Sequence, residues 1–309
     1  MPRRCMNHVR FTADTLATPD PGGTVENELV FSTTQHALVG HLFAVALGAH
    51  VVGLVYFLFA RERIAPRYRM ATVLSLAVMA ASGLLFLRLG LSWDAAFVEQ
   101  GGQMVRTEDR FAGGLRYVNW LVTVPVLLVQ VLFALDLTRA RVLRLRTLLV
   151  ASGLAMVVTG YVGQLRLGQD TAWALGWGTV SSVPFVVLLV VLVPLLRGAR
   201  ATLPLEAGRT TGHLAWVFLF FWGLYPIAYL VLVVSLTAQT AVLSQGLFTL
   251  ADIGSKVLYG VLLAKVLRLR SAADGYAPAR EPADGAVGER PEVQAYPGAR
   301  PDEQEAVRA

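Results

Sequence analysis

Seven apolar runs, each long enough to cross a bilayer, constrain this chain more than anything else in it. A hydrocarbon core needs about 20 mostly apolar residues per helix, and such runs fall at 35–60, 69–91, 116–138, 146–166, 173–196, 212–238 and 243–268. Their joints carry Pro66, the stretch Arg139 to Arg146, and Pro204 to Arg209. Prolines 125, 184, 194 and 226 lie inside runs, where neighbouring helices satisfy the carbonyls that a proline frees. Only 16% of the residues are charged, against about 25% in soluble domains, which excludes a soluble enzyme. The net charge of +6 comes from arginines clustered between apolar runs. That pattern is membrane topology, not a nucleic-acid-binding face, so the expected surroundings are lipid. The fold predicted is an all-α membrane protein, a seven-transmembrane-helix bundle.

Counting basic residues in short loops sets the orientation. Arg61, Arg63, Arg67 and Arg69 follow the first run, Arg139, Arg141, Arg144 and Arg146 the third, and Arg197, Arg200 and Arg209 the fifth. The other side holds Arg106, Arg110 and Arg166. The N-terminus is therefore expected outside and the C-terminus in the cytoplasm, in the inner membrane of a bacterial cell. Residues 1–33 hold no apolar stretch of signal-peptide length and are read as an extracellular arm. Residues 34–270 form the transmembrane domain, and the polar residues 271–309 a disordered cytoplasmic tail. Between runs two and three, the alternation around Gly101-Gly102 predicts a short extracellular β-hairpin.

Ionisable residues within a span need a reason. The chain has two lysines. Lys265 lies near the cytoplasmic end of the seventh run, where it can snorkel. Lys256 lies too deep for that, with Asp252 one turn earlier on the same face. A buried salt bridge between helices is one reading of this pair. The other is a desolvated amine forming a Schiff base with a carbonyl cofactor, with Asp252 as counter-ion. In run three, Arg116, Asn119, Thr123, Leu127 and Gln130 share one helical stripe. Interhelical hydrogen bonding accounts for Thr123 or Gln130 alone, but Arg116 needs an inward partner. Run six adds Trp222, Tyr225, Pro226 and Tyr229, a stripe that serves equally as core or as a pocket wall.

Together these residues resemble the microbial rhodopsins. The resemblance is carried by Arg116-Tyr-Val-Asn-Trp-Leu-Val-Thr-Val-Pro125, Trp222-Gly-Leu-Tyr-Pro226 and Ala251-Asp-Ile-Gly-Ser-Lys-Val-Leu-Tyr-Gly260, and it extends over residues 35–270. It implies all-trans retinal on Lys256, in a pocket lined by Trp120, Trp222, Tyr225, Pro226 and Tyr229. Outward proton pumps of that family have Asp where Asn119 stands, and sodium pumps have Asp where Thr123 stands. The set Asn119, Thr123 and Gln130 is similar to that of the bacterial chloride pumps with an Asn-Thr-Gln motif. A protonated Schiff base and Arg116 against Asp252 leave one net positive charge, which a halide would balance. Asn119 and Thr123 would donate to it, Arg116 would guard the outer access, and Gln130 would line the inner release path.

Leu127 stands at the family's colour-tuning position. Gly178 is similar to the small residue that opens a lateral window in carotenoid-binding members, and it reads more readily as a packing glycine at a helix contact. The resemblance also implies a homo-oligomer, trimer or pentamer. A sodium pump variant, a photosensor signalling through a partner and a passive channel are the competing functions. His36, His41 and His50 lack a second ligand cluster, so no metal is expected. Cys5 is read as inert, and Glu99, Glu108 and Asp109 as a solvated joint in which Glu108 could shape ion access.

Overall fold

A computed structural model describes residues 24–277. Seven helices follow one another: α1 (Thr33–Ala60), α2 (Arg69–Ala96), α3 (Leu115–Gln130), α4 (Arg139–Gln164), α5 (Thr171–Ala199), α6 (Leu205–Val234) and α7 (Ala238–Ala273). All seven are long and apolar enough to span a membrane. Their outward faces carry bare aliphatic and aromatic side chains, such as Phe59 at 69% and Val190 at 66% exposure. Polar groups instead collect inside, the inversion expected when the solvent is hydrocarbon.

Local chemistry starts the helices. Ser32 caps α1 in a reciprocal box with Gln35, and Thr237 does the same for α7 with Thr240. Asp170 caps α5 by accepting from the Trp173 amide at 2.9 Å. Each box satisfies amides that a helix start leaves free.

The hairpin between α2 and α3 is present. Strands β2 (Phe97–Gln100) and β3 (Gln103–Arg106) pair antiparallel. Gly101 and Gly102 turn between them with φ of +59° and +84°, the mirror-image turn that matches strand twist. A strand not foreseen, β1 (Phe31–Ser32), pairs with β3 and makes the sheet three-stranded. Under this sheet, Trp93 packs against Phe97 and Phe111 with ring centroids 4.7 and 5.0 Å apart.

Several expected boundaries move. Helix α4 begins at Arg139, so Arg139–Arg146 form its first two turns instead of a joint, and Thr138 caps it. The third helical segment ends at Ala134, not 138. Helix α6 starts at Leu205 and takes in Arg209. A hydropathy reading stops where arginines begin, whereas a capped helix continues past the hydrocarbon. Residues 271–277 are also not a free tail. The Ser271 hydroxyl accepts from the Ala65 amide at 2.9 Å, Tyr68 donates to Asp274 at 2.9 Å, and Arg69 donates to Tyr276 at 2.9 Å. The remainder of the expected tail, and Cys5, lie outside the described residues.

The expected N-terminal arm is likewise built in over its described part. A short 3-10 turn, Val25–Glu28, is buried through Asn27. Asn27 clamps Phe111 in both directions, accepting from its amide at 2.8 Å and donating to its carbonyl at 3.1 Å.

Candidate functional site

Helix α7 does not run evenly through the bundle. Over Ile253–Leu258 it widens to a π-helical turn, and Lys256 sits within that turn. Such turns are rare and concentrate at functional sites. Gly254 admits the bulge against α6: a methyl group there would fall 2.1 Å from Phe221 Cδ1.

Lys256 is 1% exposed and Asp252 0%. The two form an ion pair along α7. Asp252 Oδ1 also accepts from Trp120 Nε1 at 3.1 Å and from the Tyr225 hydroxyl at 2.5 Å. Tyr225 is held in turn by Ser255, 2.9 Å away. Asp252 thus joins α3, α6 and α7. Its second oxygen lies 3.9 Å from Arg116 Nη1, so the inward partner that Arg116 requires is this carboxylate.

The helix-three stripe is buried along its whole length. Thr123 Oγ1 donates to the Asn119 carbonyl at 2.9 Å, and Asn119 Nδ2 reaches Ser82 Oγ at 3.4 Å. Both donors assigned to a halide are therefore directed at protein acceptors, the second over a long contact. Towards the arginine-rich end, Ser75 donates to Gln130 Oε1 at 3.3 Å, and Gln130 Nε2 has no partner.

Beside Lys256 opens a cavity of about 290 Å³, near the lower end of the roughly 300–1,000 Å³ typical of small-molecule sites. Trp120, Leu127, Trp222, Tyr225, Pro226, Tyr229 and Lys256, the residues singled out for a pocket, all line it. Gly178 lines it as well, and a methyl group there would come within 3.0 Å of the Tyr229 ring. Leu175, Thr179, Ser182 and Leu230, also in its wall, are exposed on the outer face between α5 and α6. The long, apolar, aromatic-walled space with one buried amine suits an apolar carbonyl compound.

Sequence reasoning missed Glu26, Gln245, Thr249, Ser82 and Ser255. Gln245, Thr249, Asp252 and Lys256 are spaced 4, 3 and 4, the same kind of stripe that marked α3, so two of these were legible. Glu26 had no local signal. It is 3% exposed and accepts from Gln245 Nε2 at 2.7 Å, while Gln245 Oε1 accepts from Arg116 Nη2 at 2.6 Å. This changes the charge count: Glu26 supplies a second buried carboxylate, and the four charges of Lys256, Arg116, Asp252 and Glu26 cancel. With that carboxylate counted, the single uncompensated charge expected from the sequence is absent. His36 stacks on Trp93, His50 is buried with Nδ1 2.7 Å from the Ala46 carbonyl, and His41 is exposed. Among the described residues no three His, Cys, Asp or Glu side chains converge. Glu99, Glu108 and Asp109 are exposed at the hairpin end.

Fold and site together define a seven-helix membrane protein with a lysine-centred internal pocket. The chain belongs to the bacteriorhodopsin-like protein family, whose model it matches over residues 37–269. It is 30% identical to archaerhodopsin-3 of Halorubrum sodomense over 247 residues, covering 76% of this chain and 86% of that one. Among solved structures, a thermophilic rhodopsin superposes with a TM-score of 0.76 at 33% identity, over 80% of this chain and 99% of the other. Xanthorhodopsin, described as a light-driven ion pump with dual chromophore, gives 0.75 at 30% identity over the same shares.

Proposed function

We propose that this protein is a light-driven ion pump holding retinal on Lys256, and that the ion is chloride, carried inward. Retinal bound there would supply light absorption and an isomerisation that re-aims the N–H at the lysine nitrogen. The chain's own residues decide which ion responds. The observation that carries the reading is the chemistry of α3: Asn119 and Thr123 are donors that cannot ionise, so α3 offers no proton acceptor. Asp252 is already engaged by Lys256, Trp120 and Tyr225. It serves better as a fixed counter-ion than as a proton shuttle.

Asn119, Thr123 and neighbouring Ser82 can instead present an amide and two hydroxyls to an anion. The long 3.4 Å Asn119–Ser82 contact costs little to exchange. Arg116 offers a guanidinium on the hairpin side, and Gln130, with a free amide hydrogen pair, offers the next donor on the other side. The hairpin end faces outward and the arginine-rich end the cytoplasm of a bacterial inner membrane, in a trimer or pentamer.

A dark chloride titration of the pigment tests this. The wild type is expected to shift its visible absorption with chloride, and Asn119→Asp with Thr123→Asp to lose most of that response. An equal response in the variant would refute the site. A second reading concerns the outer opening: Gly178 and the exposed wall residues leave the cavity reachable from the lipid, which suits an antenna carotenoid laid across α5 and α6.

A further inference from the structure

The hairpin end of the bundle is closed by a segment that precedes the first helix, and that segment carries a buried acid. Thr24–Asn27 is held by the Phe111 backbone through Asn27 and through Thr24 Oγ1 at 3.3 Å. Val25 packs so near Gly168 that a methyl group there would come within 3.1 Å of Val25 Cγ1. The fixture places the Glu26 carboxylate on Gln245, and Gln245 on Arg116. Thus a side chain from outside the seven helices is linked through Gln245 to the guanidinium that pairs with Asp252.

Beyond these contacts, several buried polar atoms make no hydrogen bond among the described residues: Glu26 Oε2, Thr249 Oγ1, Arg116 Nε, and the Arg116 Nη1 and Asp252 Oδ2 that face each other only at 3.9 Å. Buried polar atoms are rarely left unpaired. Glu26, Arg116 and Asp252 carry four of them and are linked in sequence through Gln245, and Thr249 lies one turn before Asp252 on α7, which gives the hairpin half a polar interior. The donors in it, from Arg116 and Thr249, suit an anion, and Glu26 stands at its outer end carrying the same sign.

We propose that Glu26 is a tethered competitor for the transported anion: its carboxylate, docked through Gln245 on Arg116, sets how readily an external anion occupies the hairpin-side route. This rests on the anion-transport reading. An arriving anion must share Arg116 with Glu26, so Glu26 weakens external binding and discourages backflow from the loaded site. Glu26 touches neither the lysine nitrogen nor Asn119, so it is a positioning residue acting through Arg116.

The test is a dark chloride titration of the full-length, retinal-loaded protein in nanodiscs at one fixed pH, read by visible absorption. Glu26→Gln keeps the acceptor for Gln245 and removes the charge. Its dissociation constant is expected to fall roughly five- to twentyfold, the effect of a unit charge about 10 Å away at an effective dielectric of about 20–30. Exchanging the two residues, Glu26→Gln with Gln245→Glu, moves the carboxylate onto Arg116 itself and is expected to raise it. Glu28→Gln removes an exposed carboxylate on the same turn, 3.4 Å from Arg106, and is expected to change it less than about twofold. Should Glu26→Gln alone give no pigment, the exchanged variant decides. A chloride response in the wild type with an unchanged or weakened constant in Glu26→Gln, or an unchanged constant in the exchanged variant, overturns the role of Glu26. No chloride response in the wild type overturns the anion-transport reading, and this inference falls with it.

Discussion

Replacing Asp252 by Asn leaves shape and volume nearly intact and removes one buried charge. Asn retains an oxygen that can accept from Trp120 and Tyr225, now 3.1 and 2.5 Å from Asp252 Oδ1. What it cannot do is neutralise Lys256 or face Arg116 Nη1 at 3.9 Å as an anion. Two cations then share a buried site, with Glu26 reaching only Arg116 and only through Gln245. Removing one partner of a buried ion pair costs about 3–5 kcal/mol. For a chain of this size that lowers the melting temperature by about 6–20 °C. The assay is thermal loss of visible absorbance in nanodiscs, with far-UV circular dichroism recorded on the same sample. Arg116→Gln in the Asp252→Asn background is expected to recover part of the loss, because the two positions share one interaction. High chloride is expected to recover part of it too, since a ligand that binds only the folded state stabilises it. A single variant melting within about 2 °C of wild type would refute the assignment of Asp252 as the charge that makes Lys256 and Arg116 tolerable.

Two further outcomes follow from close approaches. Gly254→Ala puts a methyl group 2.1 Å from the Phe221 ring, so pigment yield is expected to drop and stability to fall by about 1–3 kcal/mol or more. Phe221→Ala in the same chain is expected to restore part of it, and a neutral single variant would show that the π turn relaxes freely. Gly178→Phe crowds Tyr229 and fills the lipid-side wall of the cavity. Carotenoid-sensitised excitation is expected to vanish while retinal absorption persists, and sensitisation surviving that change would exclude this route for an antenna.

Much of this architecture was legible because helices write their contacts locally. A 3.6-residue repeat places Arg116, Asn119, Thr123, Leu127 and Gln130 on one face whatever surrounds them, and the same holds for Asp252 and Lys256. The Gly101-Gly102 turn needs only its own two positive φ angles. Helix ends were less legible, since hydropathy falls at Arg139 while the helix capped by Thr138 starts there. Gln245 and Thr249 follow the same stripe as Asp252 but carry no charge, so nothing in the sequence demands a partner for them. Glu26 lay beyond any local rule. It reaches the site because β1 pairs with β3 and Asn27 clamps Phe111, contacts between segments some eighty residues apart. The charge count that favoured a halide therefore loses force, and the chloride reading rests instead on donors that cannot ionise at Asn119 and Thr123.

The most direct measurement is the light-induced pH change of unbuffered cells making the protein with retinal, recorded with and without a protonophore. It is compared in sodium chloride, sodium sulfate and the chloride salt of a large organic cation. The expected result is alkalinisation in both chloride media and none in sulfate, because inward chloride movement draws protons after it. Alkalinisation that follows sodium instead would indicate a sodium pump. Acidification independent of salt and abolished by the protonophore would reveal a proton acceptor. A coloured pigment with no signal would point to a sensor. Each of these three contradicts inward chloride transport.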